Sequence, residues 1–145
     1  MHKITFTILF TIIFLRAFAQ TAPGDQILGE WINEEKDTRI EIYKSGAHYA
    51  GKLIWAQNLL EADGETPRKD INNNDEKLRG RSLSNVELLH GFVYTEGIWD
   101  EGKMYDPKSG KTYNCVLKLR NEKLEIRGYV GIPLLGRTTY WERVL

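Results

Sequence analysis

What most constrains this chain is a period of two that returns along most of its length. In Tyr113-Asn114-Cys115-Val116-Leu117-Lys118-Leu119, positions 113, 115, 117 and 119 are apolar or aromatic while 114 and 118 are polar. Side chains alternate faces along a strand, so this spacing marks a half-buried β-strand. The same spacing recurs at 28–33, 38–46, 48–56, 86–95, 102–106, 111–120, 123–130 and 137–144, which predicts about eight strands. Short polar connections separate them: Asn33 to Asp37, Lys44-Ser45-Gly46, Asp106-Pro107-Lys108-Ser109-Gly110 and Arg120-Asn121-Glu122. These suit hairpins, because proline presets φ early in a turn and glycine accepts positive φ near its end. An all-β antiparallel meander follows. Its simplest closed form is an up-and-down barrel, which leaves no exposed edge strand.

The N-terminus has a different pattern. Lys3 precedes an apolar run of 12 residues, Ile4 to Leu15, and Ala17-Phe18-Ala19 then supplies the small-x-small spacing of a signal-peptidase site. The expected organisation is a signal peptide over 1–19 and one barrel domain over 20–145, placed in the periplasm or beyond. The run falls short of the roughly 20 residues a membrane helix needs, so no spanning segment is expected after cleavage. The whole chain has 20 basic and 20 acidic groups; losing Lys3 and Arg16 leaves the mature form at −2. That balance lacks the basic excess that nucleic-acid binding requires.

Cys115 is the chain's one cysteine and has no partner for an internal disulfide. Its place in the alternation predicts a core side chain instead of a reactive thiol. Residues 57–84 interrupt the strand rhythm with a connection long enough to be functional or internally structured. In it, Asn74 to Leu78 is expected to form a helical turn capped by Asn or Asp.

The stretch DINNNDEKLRGR, residues 70–81, lies in this crossing. Asp70, Asn72 and Asn74 occupy positions one, three and five of a calcium loop, but position six is Asp75 where glycine is needed. Position twelve is Arg81, where the ion needs a carboxylate. No metal site is expected. Arg68, Lys69, Arg79 and Arg81 could cradle an anion, or pair with Asp70, Asp75 and Glu76 of the same crossing; the pairing is favoured, since the loop carries its own counter-charges. Ser109-Gly110-Lys111-Thr112 spells part of a phosphate loop, yet Tyr105 stands where its first glycine belongs and a strand follows instead of a helix.

No catalytic residue is singled out. The mature chain has two histidines, His48 and His90, and no nucleophile elbow. A pair of carboxylates converging across a cleft is compatible with the sequence, but no pair stands out. Aromatic side chains are numerous, and in a barrel they either fill the interior or line a ligand cup. The candidate ligand-binding set is Trp55, Tyr94, Trp99, Tyr105, Trp141, Arg79 and Arg81, facing a small apolar or anionic ligand. No cofactor is expected.

Several motifs recur together in a known arrangement. They are Gly29-x-Trp31; Asp70-x-x-Asn73-x-Asp75-x-x-Leu78-Arg79-x-Arg81; Tyr105-Asp106-Pro107-x-x-Gly110-Lys111-x-Tyr113; Arg127-Gly128-Tyr129-x-Gly131; and Leu135-Gly136-Arg137-Thr138-x-x-Trp141-x-Arg143. Through them the chain resembles the secreted bacterial domain-of-unknown-function family 2147 over nearly all of its mature length. That family commonly has proline where Asn74 stands. The resemblance implies a small lipocalin-like barrel of unestablished role and carries no catalytic assignment. Gly29-x-Trp31 with a late arginine also resembles the lipocalin pairing of a first-strand tryptophan beneath a last-strand arginine, here Arg137 or Arg143. Three functional readings follow: a barrel binding a small, partly apolar ligand in its interior or at its mouth, an envelope protein-interaction module, and an envelope hydrolase.

Overall fold

The computed structural model describes residues 20–145; the expected signal peptide, 1–19, lies outside the described residues. Eight antiparallel strands close into a barrel: β1 (Gly29–Asn33), β2 (Thr38–Ser45), β3 (His48–Ala56), β4 (Glu87–Thr95), β5 (Ile98–Asp106), β6 (Lys111–Arg120), β7 (Lys123–Tyr129) and β8 (Arg137–Arg143). Each strand pairs with the next, and β8 returns to β1 with Trp31 opposite Arg143. The meander and its closure are as the alternation predicts.

One strand departs from expectation. β5 begins at Ile98, four residues before the polar–apolar alternation becomes legible. Its pairing with β6 shifts between Trp99 and Gly102, and Glu101 takes a positive φ of 64°. A bulge of this kind puts two residues opposite one and breaks the period of two, so the first half of the strand is hidden.

The barrel has two unlike ends. At one, a 3-10 turn over Pro23–Ile27 folds across the opening. Trp31 donates its indole N–H to Ile27 O at 2.9 Å, and Trp99 donates to Gly24 O at 3.0 Å. The Tyr49 hydroxyl donates to Asp25 at 2.7 Å, and Lys44 pairs with the same carboxylate. These two donors hold the Asp25 carboxyl below its ordinary value. Arg143 stacks 4.3 Å from the Trp31 ring centroid and donates to the carbonyls of Gln26 and Leu28. Arg143 thus fills the place for which two arginines competed in the sequence. Arg137 lies opposite Gly128, away from Trp31.

Inward-facing side chains fill the space above this plug. Ile27, Trp31, Ile40, Ile42, Tyr49, Leu89, Phe92, Trp99, Cys115, Leu117, Leu124 and Ile126 form one buried cluster. Glycines make the room: a Cβ on Gly102 would lie 2.3 Å from the Phe92 ring, and one on Gly128 would lie 2.6 Å from the end of Met104. Large side chains thus lie over positions of nearby strands that have none. Burial pushes the Cys115 thiol up to about 12, which leaves it an inert core group, as its position in β6 predicts.

Outward positions pair charges across strands, as at Glu41 with Lys52 and Lys118 opposite Glu125. This is the reverse of the apolar outer band of a membrane barrel. Among the described residues, no helix is long and apolar enough to cross a membrane.

Candidate functional site

The crossing between β3 and β4 is a small folded unit. Its two limbs pair at Leu60 with Pro67 and at Lys69 with Ser82, and Leu59 joins Leu53 and Val86 in an apolar cluster of its own. At its centre Asp70 is 1% exposed. Its Oδ1 accepts from the Tyr105 hydroxyl at 2.5 Å, while Oδ2 accepts from Asn73 Nδ2 at 2.8 Å and Arg81 Nε at 2.9 Å. Backbone bonds close the same knot, from Asp70 N to Arg81 O and from Asn73 N to Asp70 O.

Burial pushes the Asp70 carboxyl up, but three hydrogen bonds and the Arg81 charge outweigh it, and the group sits below its ordinary value. Tyr105 responds in the opposite sense: burial and the adjacent carboxylate push its hydroxyl up to about 12. The Arg81 guanidinium also stacks 5.6 Å from the Tyr105 ring centroid.

The rest of the motif serves the same knot. Asp75 caps the 3-10 turn Glu76–Leu78 by accepting from Lys77 N at 3.0 Å, the turn and cap expected from the sequence. Arg79 donates to Asn73 O at 2.7 Å and approaches Glu76 at 3.7 Å. Asn72 reaches across to the carbonyls of Pro107 and Lys108, in the β5–β6 turn. That turn is closed by Asp106, which accepts from Lys108 N and Ser109 Oγ. Gly110 has φ 71°, and a Cβ there would fall 1.8 Å from Asn72 O, so only glycine allows the contact. The charges of the DINNNDEKLRGR stretch are therefore turned mainly on one another.

Between this unit and the outer face of β4, β5 and β6 runs a groove of about 460 Å3. Leu78, Leu88 and Tyr105 give it apolar walls; Arg81, Lys103 and His90 bring nitrogen donors to it, and Asp75 and Glu87 bring carboxylates that Lys77 N, Tyr43 and His90 engage. His90 lies opposite Lys103 across the β4–β5 pair, and its Nδ1 contacts Glu87 Oε1 at 2.5 Å. Lys103 bonds Asn114 Oδ1. Arg81 spends Nε on Asp70; among the described residues its two terminal nitrogens have no partner.

The structure distributes the seven candidate ligand residues over four places. Tyr105 and Arg81 meet in the groove, and Arg79 stands behind it, tied to the crossing's own backbone. Tyr94 and Trp99 pack on each other at 4.9 Å beside the 3-10 plug, inside the core. Trp141 faces inward opposite Leu124, and its indole N–H donates to Thr139 Oγ1 at 2.9 Å. Trp55 is 42% exposed on the outer surface, with Arg39 5.7 Å from its ring centroid. Leu88, His90, Lys103 and Thr112 of the groove were not singled out in the sequence. Most are ordinary strand residues, and only the fold brings them beside the crossing.

A closed eight-stranded meander, plugged by a 3-10 turn and sealed by a first-strand tryptophan under a last-strand arginine, defines a lipocalin-like barrel. The chain belongs to the DUF2147 family, described as an uncharacterized protein conserved in bacteria, whose model matches residues 29–143. Among solved structures, it is similar to the protein HP1028 from the human pathogen Helicobacter pylori, described as belonging to the lipocalin family. The two share 25% identity at a TM-score of 0.71, over 82% of this chain and 83% of that one. No curated protein matches the chain.

Proposed function

We propose that this is an exported binding protein that holds a small, partly apolar anion in the groove between the crossing and the outer face of β4–β6. The observation that carries this reading is the contrast between two spaces. The interior is taken up by the barrel's own side chains, whereas the groove combines apolar walls with the free end of Arg81 and with Lys103. Its volume falls within the range usual for small-molecule sites. The Asp70 knot keeps Arg81 aimed at the groove before any ligand arrives, which lowers the entropic cost of binding. Export rests on the lysine, apolar run and Ala-x-Ala spacing of residues 1–19.

Calorimetry with octanoate, octyl phosphate and octanol tests the reading. The two anions should bind more tightly than the alcohol, and Lys103→Gln should weaken them about tenfold, the loss of one charge-assisted hydrogen bond. Equal affinity for octanol, or anion binding untouched by Lys103→Gln, contradicts it.

A further inference from the structure

The connection from β7 to β8 is unlike the other connections of the barrel. Val130, Ile132, Leu134 and Leu135 are 70%, 54%, 81% and 76% exposed, so four large apolar side chains stand in water side by side. Isolated surface hydrophobes need no explanation, but a contiguous cluster of this kind marks an interaction surface.

The backbone of the loop is already satisfied from within. Leu135 N donates to Ile132 O and Gly136 N to Pro133 O, closing the 3-10 turn Pro133–Leu135. Arg127 reaches up from β7 and donates to Pro133 O at 2.8 Å and to Leu134 O at 3.3 Å, with a third bond to Thr138 Oγ1. A segment entering hydrocarbon must satisfy its polar backbone internally, and this one spends an arginine on doing so. Charge at its base is one-sided: residues 126–141 contain Arg127 and Arg137 and no acidic residue. Arg137 is exposed, without an ion pair among the described residues. Tyr129 closes β7 beside this base, whereas Tyr140 lies farther down β8, opposite Glu125. An apolar tip over a cationic base matches the layers of a bilayer surface with anionic headgroups.

We infer that the 130–136 loop is a membrane-surface anchor, inserting Ile132, Leu134 and Leu135 among the acyl chains of an anionic phospholipid leaflet while Arg137 meets its headgroups. The barrel itself stays in water. β7 ends on the side of the barrel opposite the 3-10 plug, so insertion turns the crossing and its groove toward the lipid surface.

An environment-sensitive dye on Leu134→Cys tests this, with His48→Cys at the far end of the barrel as the comparison; the buried Cys115 is not labelled. Vesicles of phosphatidylglycerol and phosphatidylcholine should move the dye at 134 into an apolar environment, where nitroxide lipids quench it. The dye at 48 should stay in water. Adding Leu135→Asp or Arg137→Glu should each lower partitioning about five- to tenfold, and vesicles of phosphatidylcholine alone should bind more weakly. A dye at 134 that remains in water with vesicles present overturns the inference. So does a blue shift that needs only more protein, which would mark self-association, or equal quenching at both positions.

Discussion

At the scale of single residues, Asp70 organises the molecule's most polar interior point. Both its oxygens are occupied, by one hydroxyl, one amide and one guanidinium. Removing the carboxylate strands those donors, so Asp70→Ala should lower unfolding free energy by about 1–3 kcal/mol in chemical denaturation. Tyr105→Phe, which strands one acceptor of a carboxylate that keeps two other donors, should cost about 1 kcal/mol. The pH dependence follows from the direction of the shift. The folded chain holds the Asp70 proton less tightly than the unfolded chain, whose value is near 3.8. Its contribution is therefore complete above about pH 4 and lost as pH falls through the depressed folded value. Asp70→Asn should give a shallower loss of stability between neutral and acid pH, followed by urea midpoints. A limb as steep as that of the unaltered protein would remove Asp70 from the account.

Among elements, the crossing and the 3-10 plug differ in how far the sequence discloses them. The strands were legible because alternation is a local signal. The crossing was legible as an interruption, and its failed calcium register with self-matched charges pointed to an ordered tie, which is how Asp70, Arg79 and Arg81 behave. The plug was not legible: its key bond joins Trp99 to Gly24 across 75 residues, and nothing near Pro23 announces that partner. The choice between Arg137 and Arg143 was likewise settled only by the β1–β8 register. Of the groove, Tyr105 and Arg81 could be found through their motifs, whereas Lys103 and Leu88 share the pattern of every other strand residue. Two changes probe these elements. Gly110→Ala should push the β5–β6 turn off Asn72, costing about 2 kcal/mol or more through clash and positive φ, with faster amide exchange across 70–81. Arg143→Ala should cost about 1–3 kcal/mol, from the lost stack on Trp31 and two stranded carbonyls, and loosen exchange at 23–28.

For the molecule as a whole, the decisive property is that a fold able to enclose a ligand spends its interior on itself. Gly102 and Gly128 show this, since each receives a side chain from another part of the wall. Gly102→Ala should therefore overpack the barrel against Phe92 and lower stability by about 1–3 kcal/mol; in a roomy cup one methyl group would cost little. With the interior filled, the proposed binding falls to the outside, in the groove beside the crossing, and the apolar β7–β8 loop lies at the same end. A protein held to a lipid surface by that loop would present its groove to small amphiphilic anions leaving or entering the leaflet.

The most direct measurement is an amide chemical-shift titration with octanoate. Shifts confined to Leu78, Arg81, Leu88, Lys103, Tyr105 and Thr112 are the predicted result. Shifts centred on Trp31, Phe92, Trp99 and Cys115, with the groove silent, would mean the ligand enters the barrel and would contradict the account.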